Sequence, residues 1–138
     1  KEFYEYVVKK YKDKIDEKRI YVTGLSMGGK STLLLAKEIG DKKIAAIVPI
    51  CPADKSPGSV SNLKRMGIWF FHNDGDNIVS VKNTEEWCKA LEKAKVEVKK
   101  TIFKAGGHDA WTAAYNDEEM WKWLFEQKLD DKKRSDLY

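Results

Sequence analysis

The twelve residues "YVTGLSMGGKST", 21–32, decide how the rest of the chain is read, because two active-site motifs overlap in them. Gly24-Leu25-Ser26-Met27-Gly28 fits G-x-S-x-G, a sharp strand-to-helix turn that lifts a nucleophilic serine above a sheet. Gly24 and, after four residues, Gly29-Lys30-Ser31 fit G-x-x-x-x-G-K-[ST], a wider loop whose N–H groups cradle phosphate. Both need a strand before and a helix after, and the flanks supply them. Residues 19–23, "RIYVT", are short and β-branched and stop at Gly24, which predicts a strand. Residues 27–39 read as a helix, with Leu33, Leu34, Leu35 and Ala36 in its buried part and Gly40 at its end.

Outward from this stretch, helical and strand periods alternate. Phe3, Tyr4, Val7, Val8 and Tyr11 recur at helical spacing, so 2–14 is expected to be a helix with one apolar face. "KIAAIVPIC", 43–51, and "GIWFFH", 67–72, are continuous apolar runs of strand length, as strands covered on both faces should be. Between them, 52–61 is rich in Pro, Gly and Ser and reads as a loop, with a short helix over 60–65. Helix is expected at 81–93, with Trp87, Ala90 and Leu91 inward, and strand at 96–103. A final helix covers 111–125, with a break near Asn116 and Asp117. This order predicts a three-layer α/β/α fold of about four parallel strands, in one domain over 1–127, followed by a polar tail, 128–138, expected to fray.

Composition sets the outer bounds. At 138 residues the chain is long enough for one domain with its own core. Twenty-six basic and 22 acidic residues are mixed in sign along the chain, which reads as a solvated surface and not as a nucleic-acid interface. No apolar run reaches the roughly 18 residues of a membrane span. The start, "KEFYEYVVKKYKDK", is amphipathic and interrupted by charge, unlike a signal peptide. Cys51 and Cys88 make neither a metal spacing nor a C-x-x-C, so two buried thiols are expected and the compartment stays open.

In a parallel sheet of this kind, ligands sit beyond the carboxyl ends of the strands. The first strand ends in Ser26, the third in "HNDGDNIV" with Asp74 and Asp76, and the fourth in "KAGGHDAW" with His108 and Asp109. The order Ser, Asp, His is that of the α/β-hydrolases. A P-loop would instead want a magnesium-holding Asp at the end of a second strand. Its candidate, Asp54, lies past that end, beyond Pro49 and Pro52. A sharp elbow also needs small neighbours around its strained serine, and Gly24 and Gly28 stand two residues to either side. The serine reading is therefore preferred, with Lys30 on the first helical turn pointing to solvent or over the site.

"DEKRIYVTGLSMGGKSTLLLA", "GIWFFHNDGDNIVSV" and "KAGGHDAWTAAYND" resemble the corresponding segments of α/β-hydrolase carboxylesterases. The nearest likeness is to feruloyl-esterase-like and polyhydroxybutyrate-depolymerase-like enzymes. Dienelactone hydrolases and prolyl-oligopeptidase catalytic domains are further off. The likeness runs from residue 1 to about 127 and implies the carboxyl-terminal half of that fold. It implies Ser26 as nucleophile, His108 as base and Asp76 as acid, the last because the family Asp precedes an x-x-Val stretch, here Asn77-Ile78-Val79. It implies hydrolysis of carboxylic esters, of a small-molecule or polysaccharide-linked phenolic or acyl kind, with no metal or organic cofactor, and it is compatible with secretion. A prolyl-oligopeptidase-like peptidase and a non-catalytic interaction module remain alternatives.

In the chemistry this implies, His108 takes the Ser26 proton and returns it to the leaving alcohol, while Asp76 fixes the imidazole tautomer. The Met27 N–H, at the helix start, is the expected oxyanion donor. A second donor normally follows an earlier strand, so weak activity is expected of this chain alone. With no strand before 19–23, that strand should be a sheet edge, expected to pair with a second copy or with a preceding segment. Trp111 is a candidate wall for an aromatic acyl group. His72 and Cys51 are expected to be structural, Asp109 a helix cap, and Trp121, Trp123 and Phe125 core.

Overall fold

The computed structural model describes residues 1–129. Four parallel strands form one sheet in the order β1-β2-β3-β4: β1 Tyr21–Leu25, β2 Ala46–Ile50, β3 Gly67–Gly75 and β4 Lys99–Gly106. Helix α1 Glu2–Lys10 precedes β1, α2 Met27–Ile39 follows it, α3 Lys82–Lys93 joins β3 to β4, and α4 Trp111–Tyr115 and α5 Glu118–Glu126 follow β4. A single 3₁₀ turn, Ser61–Leu63, stands where a short helix was expected over 60–65.

Although β2 and β3 are apolar without interruption, their side chains still sort by the two-residue period of a strand. Ile47, Ile68 and Phe70 join Leu33 and Ala36 of α2 and Trp87, Cys88 and Leu91 of α3 in one core. Ala46, Val48, Ile50, Trp69 and Phe71 join Ala110, Ala114 of α4 and Met120, Leu124 of α5 in the other. The sheet is thus covered on both faces, giving the three layers. Phe70, Phe71 and Trp87 are fully buried, and each such side chain contributes about 1.5–3 kcal/mol of transfer free energy.

The differences from the sequence reading have local causes. β1 runs two residues later than 19–23 and passes through Gly24, because Gly24 and Leu25 still pair with Pro49 and Ile50. β3 continues three residues past 72 by pairing Asn73 with Phe103, then shifts register to join Gly75 with Gly106. Leu34 is 49% exposed, since four consecutive residues cannot share one helical face at about 100° each. Helix α1 stops at Lys10, not 14, and buries no residue, so no packed face supports further turns. The break near Asn116 is present: Asp117 caps α5, accepting from the Glu119 and Met120 N–H groups. Phe125 is 55% exposed and not core. Of the tail expected over 128–138, Leu129 donates its N–H to the Lys18 carbonyl; residues 130–138 lie outside the described residues. No helix among the described residues is long and apolar enough to cross a membrane.

β1 is an outer strand of the described sheet, as expected, though its span is Tyr21–Leu25. The carboxyl ends of β1, β3 and β4 therefore open onto one rim, where the polar residues singled out above are gathered.

Candidate functional site

Only Ser26 separates β1 from α2. The turn is that sharp because Ser26 takes φ 54°, ψ −115°, a left-handed conformation rare for a residue with a side chain. Its backbone is held from both sides: the Ser26 N–H donates to the Ile50 carbonyl (2.9 Å), and its carbonyl accepts from Lys30 (3.1 Å) and Ala53 (3.0 Å). A one-residue turn leaves no loop to wrap a phosphate. Asp54, the P-loop's magnesium candidate, accepts instead from the Trp87 indole N–H at 3.1 Å. These two observations set the P-loop reading aside.

The close approach at the elbow falls on one glycine of the motif and on one outside it. A Cβ at Gly24 would lie 2.5 Å from the Gly28 carbonyl oxygen, and one at Gly29 would lie 2.8 Å from the Ile50 carbonyl oxygen. At Gly28 a Cβ would meet nothing within 4 Å. The pair of small residues required is Gly24 and Gly29, which corrects the expectation of Gly24 and Gly28.

Three strand ends bring Ser26, His108 and Asp76 into one chain of hydrogen bonds. His108 Nε2 lies 2.8 Å from Ser26 Oγ, and His108 Nδ1 lies 2.7 Å from Asp76 Oδ2. A carboxylate only accepts, so Nδ1 carries the proton and Nε2 is free to accept from the serine hydroxyl. Asp76 is pinned by its other oxygen, which accepts from the Ile78 and Val79 N–H groups, both at 2.9 Å. Burial pushes the Asp76 carboxyl up, but the His108 bond and these two backbone donors outweigh it and hold it below the usual carboxylate range. Asp74 is elsewhere, accepting from the Ala105 N–H across the β3–β4 register shift.

Around this chain, the other residues singled out find distinct places. Met27 begins α2, where the first N–H groups of a helix have no preceding carbonyl to bond. The Trp111 ring meets the His108 ring edge to face, with centroids 5.4 Å apart at 86°, and also packs on the core. Asp109 caps the start of α4, accepting from the Thr112 N–H and hydroxyl. Asn73 was missed in the sequence: its buried amide donates to the Gly107 and Asp109 carbonyls and ties β3 to both sides of His108. A polar residue closing an apolar strand was its only signal. His72 is fully buried beside Asp76, bonded to Thr84 and to the Val79 carbonyl.

Cys51 and Cys88 are free and buried in opposite cores. Cys51 brings its sulfur near the site, and one donor atom each of Cys51, Asp76 and His108 lie within 4.8 Å of one another. This set has the S, O and N atoms that zinc takes. Yet Asp76 and His108 are spent on each other, and burial pushes the Cys51 thiol up to about 11, against the Ser26 and Ala110 N–H groups. Such an arrangement can activate a hydroxyl, the imidazole accepting its proton and the carboxylate orienting the imidazole.

The dienelactone hydrolase family profile matches residues 4–128. Among solved structures, a thermostable esterase shares 34% identity at a TM-score of 0.77 over 91% of this chain, which spans 36% of that esterase's length. A ferulic acid esterase superposes with a TM-score of 0.70 at 18% identity, covering 90% of this chain and 58% of its own. The acylaminoacyl peptidase of Pyrococcus horikoshii does so with a TM-score of 0.71 at 17% identity, covering 93% of this chain and 27% of its own. These last two share the fold alone. No curated protein sequence matches the chain significantly. The sheet is thus part of an α/β-hydrolase fold.

Proposed function

The chain belongs to the dienelactone hydrolase family, and from that premise we propose that it carries the Ser26–His108–Asp76 machinery of a serine hydrolase acting on carboxylic esters. The observation that carries the reading is the position of the His108 ring, 2.8 Å from a hydroxyl and 2.7 Å from a carboxylate. Family membership and the esterase and peptidase neighbours support a serine hydrolase in general. The relative above 30% identity, an esterase, favours esters over amides.

In this mechanism His108 accepts the Ser26 proton as the oxygen attacks the ester carbon. Asp76 stabilises the imidazolium that forms. The Met27 N–H donates to the carbonyl oxygen as it becomes an oxyanion. The tetrahedral intermediate collapses, His108 delivers its proton to the departing alcohol, and water then releases the acyl group by the same steps in reverse. The Trp111 ring beside His108 supports an aromatic or other apolar acyl group, such as a phenolic acid.

A fluorophosphonate probe tests the nucleophile. It should label the chain, and Ser26→Ala should abolish both labelling and p-nitrophenyl ester turnover; labelling that survives Ser26→Ala refutes the assignment. Comparison of p-nitrophenyl acetate with methyl ferulate then tests the acyl preference. Equal kcat/KM for the two would remove the argument from Trp111.

A further inference from the structure

We propose that His72 is a positioning residue for the hydrolytic site, a neutral imidazole held as its Nε2–H tautomer that meets the same Asp76 oxygen as His108. The inference rests on the esterase reading above and adds a second histidine to it.

The tautomer follows from the neighbours. His72 Nε2 lies 2.8 Å from the Val79 carbonyl oxygen and 3.3 Å from Asp76 Oδ2. Both oxygens only accept, so Nε2 must carry a hydrogen. On the other side, Nδ1 lies 2.8 Å from the Thr84 hydroxyl, which can donate to a bare nitrogen. His72 sits on β3 and Thr84 on α3, so two packed elements fix the ring. Burial lowers its proton affinity, outweighing the Val79 carbonyl and the Asp76 charge, and His108 acts in the same direction as burial. The ring is therefore neutral, and the Asp76 charge is left to His108.

The placement matters because of what the ring separates. The Val79 carbonyl accepts from this N–H at 2.8 Å, and Asp76 Oδ2 lies 3.3 Å from the same nitrogen. Without it, the Val79 carbonyl would lose its buried donor beside the Asp76 carboxylate, and a buried acceptor left unpaired next to a like-signed oxygen is costly. The relief open to Asp76 is to swing away, and the Oδ2 that would move is the oxygen bonded to His108. A role in packing needs only the volume of the ring; this role needs a donor at the Nε2 position.

Two polar variants separate these roles by reach. A glutamine amide at position 72 can place an N–H near the Nε2 position, while asparagine reaches only toward Thr84. In the wild type, ¹⁵N NMR at neutral pH should show His72 protonated at Nε2 alone. The low-field proton of the His108–Asp76 bond should be retained in His72→Gln and lost or broadened in His72→Asn. In turnover, His72→Asn should lower kcat by about tenfold with little change in KM, within the penalty known for small misplacements of a catalytic group, and His72→Gln should restore most of it. Protonation of His72 at Nδ1, a charged ring, or equal behaviour of the two variants would overturn the proposal. The tautomer is read on the wild type, so it decides even if His72→Asn does not fold. The NMR measurements need no turnover, so an inactive wild-type chain counts against the esterase reading alone.

Discussion

The glycines of the elbow permit a quantitative test, because the structure ranks them in an order the motif does not. A methyl at position 24 would sit 2.5 Å from the Gly28 carbonyl oxygen, 2.6 Å from its carbon and 3.0 Å from Thr32 Oγ1. The first distance is about 0.8 Å inside a close carbon–oxygen contact of about 3.3 Å, and the obstacle is backbone of the turn that holds Ser26. Overpacking of this sort costs about 1–3 kcal/mol. At roughly 4 °C per kcal/mol for a chain of this length, Gly24→Ala should lower Tm by about 4–12 °C. Gly29→Ala should fall in the same range, its methyl being 2.8 Å from the Ile50 carbonyl oxygen and 3.0 Å from Pro52 Cα. Gly28→Ala meets nothing, lies within α2, and gains helix propensity of up to about 1 kcal/mol; its Tm should hold or rise. Shifting the elbow by about 1 Å should also slow fluorophosphonate labelling of Ser26 by up to about 100-fold in the first two variants. Thermal melts and labelling rates of the three proteins, measured side by side, are sufficient. A Gly28→Ala protein destabilised as much as Gly24→Ala would refute the steric account.

Other outcomes follow from the same coordinates. Asp76→Asn should leave the fold intact but favour the wrong His108 tautomer, lowering kcat by about 10⁴ as in comparable triads; a loss under tenfold would remove Asp76 from the role given it. Stability should fall on the acid side in two stages. The unfolded His72 ring takes up a proton below about pH 6.5 while the folded one resists, and the Asp76 contribution, present above about pH 3.9, is lost as pH falls through its depressed folded value. On the alkaline side, Cys51 and Cys88 are held as thiols up to about 11 while unfolded thiols ionise near 9, so stability should decline from there upward. A Tm constant from pH 7 to pH 5 would contradict the first stage. For the same reason, iodoacetamide at pH 8 should modify neither cysteine in the folded chain and both in urea. The outer edge of β1 is expected to pair with a second copy, so light scattering should give a mass above 15.9 kDa that rises with concentration; a constant 15.9 kDa would count against it.

Much of this site could be read before any coordinates, for a physical reason. Parallel strands joined by right-handed crossovers all deliver their carboxyl ends to one rim. Chain order and strand ends were therefore enough to bring Ser26, His108 and an aspartate of the third strand end together, without knowledge of any side-chain angle; the family likeness, through Asn77-Ile78-Val79, singled out Asp76 over Asp74. The family was legible too, though the likeness placed second, to dienelactone hydrolases, is the one whose profile matches. What the sequence hid depends on distances shorter than its periodicities resolve. Which glycine faces backbone is set by how α2 leans on the end of β2, so Gly29 was overlooked and Gly28 credited. Asn73 and the register shift at Asn73/Gly75 arise where β3 and β4 stop matching, and no local pattern announces that.

His72 shows the limit most clearly. In the sequence it is one polar residue at the end of an apolar run, and packing is the natural reading. Its burial agrees with that, but burial alone would be better served by an apolar side chain, since an imidazole brings two nitrogens that need partners. Both are met, one by Thr84 and the other by a carbonyl and the carboxylate at the centre of the site. A buried polar ring whose every partner is specified constrains those partners in return. That reciprocity carries from α3, through His72 and Asp76, to His108 and Ser26. The proposal for His72 thus joins the geometry of the elbow to the tautomer of a buried histidine through one carboxylate oxygen, 2.7 Å from His108 Nδ1 and 3.3 Å from His72 Nε2.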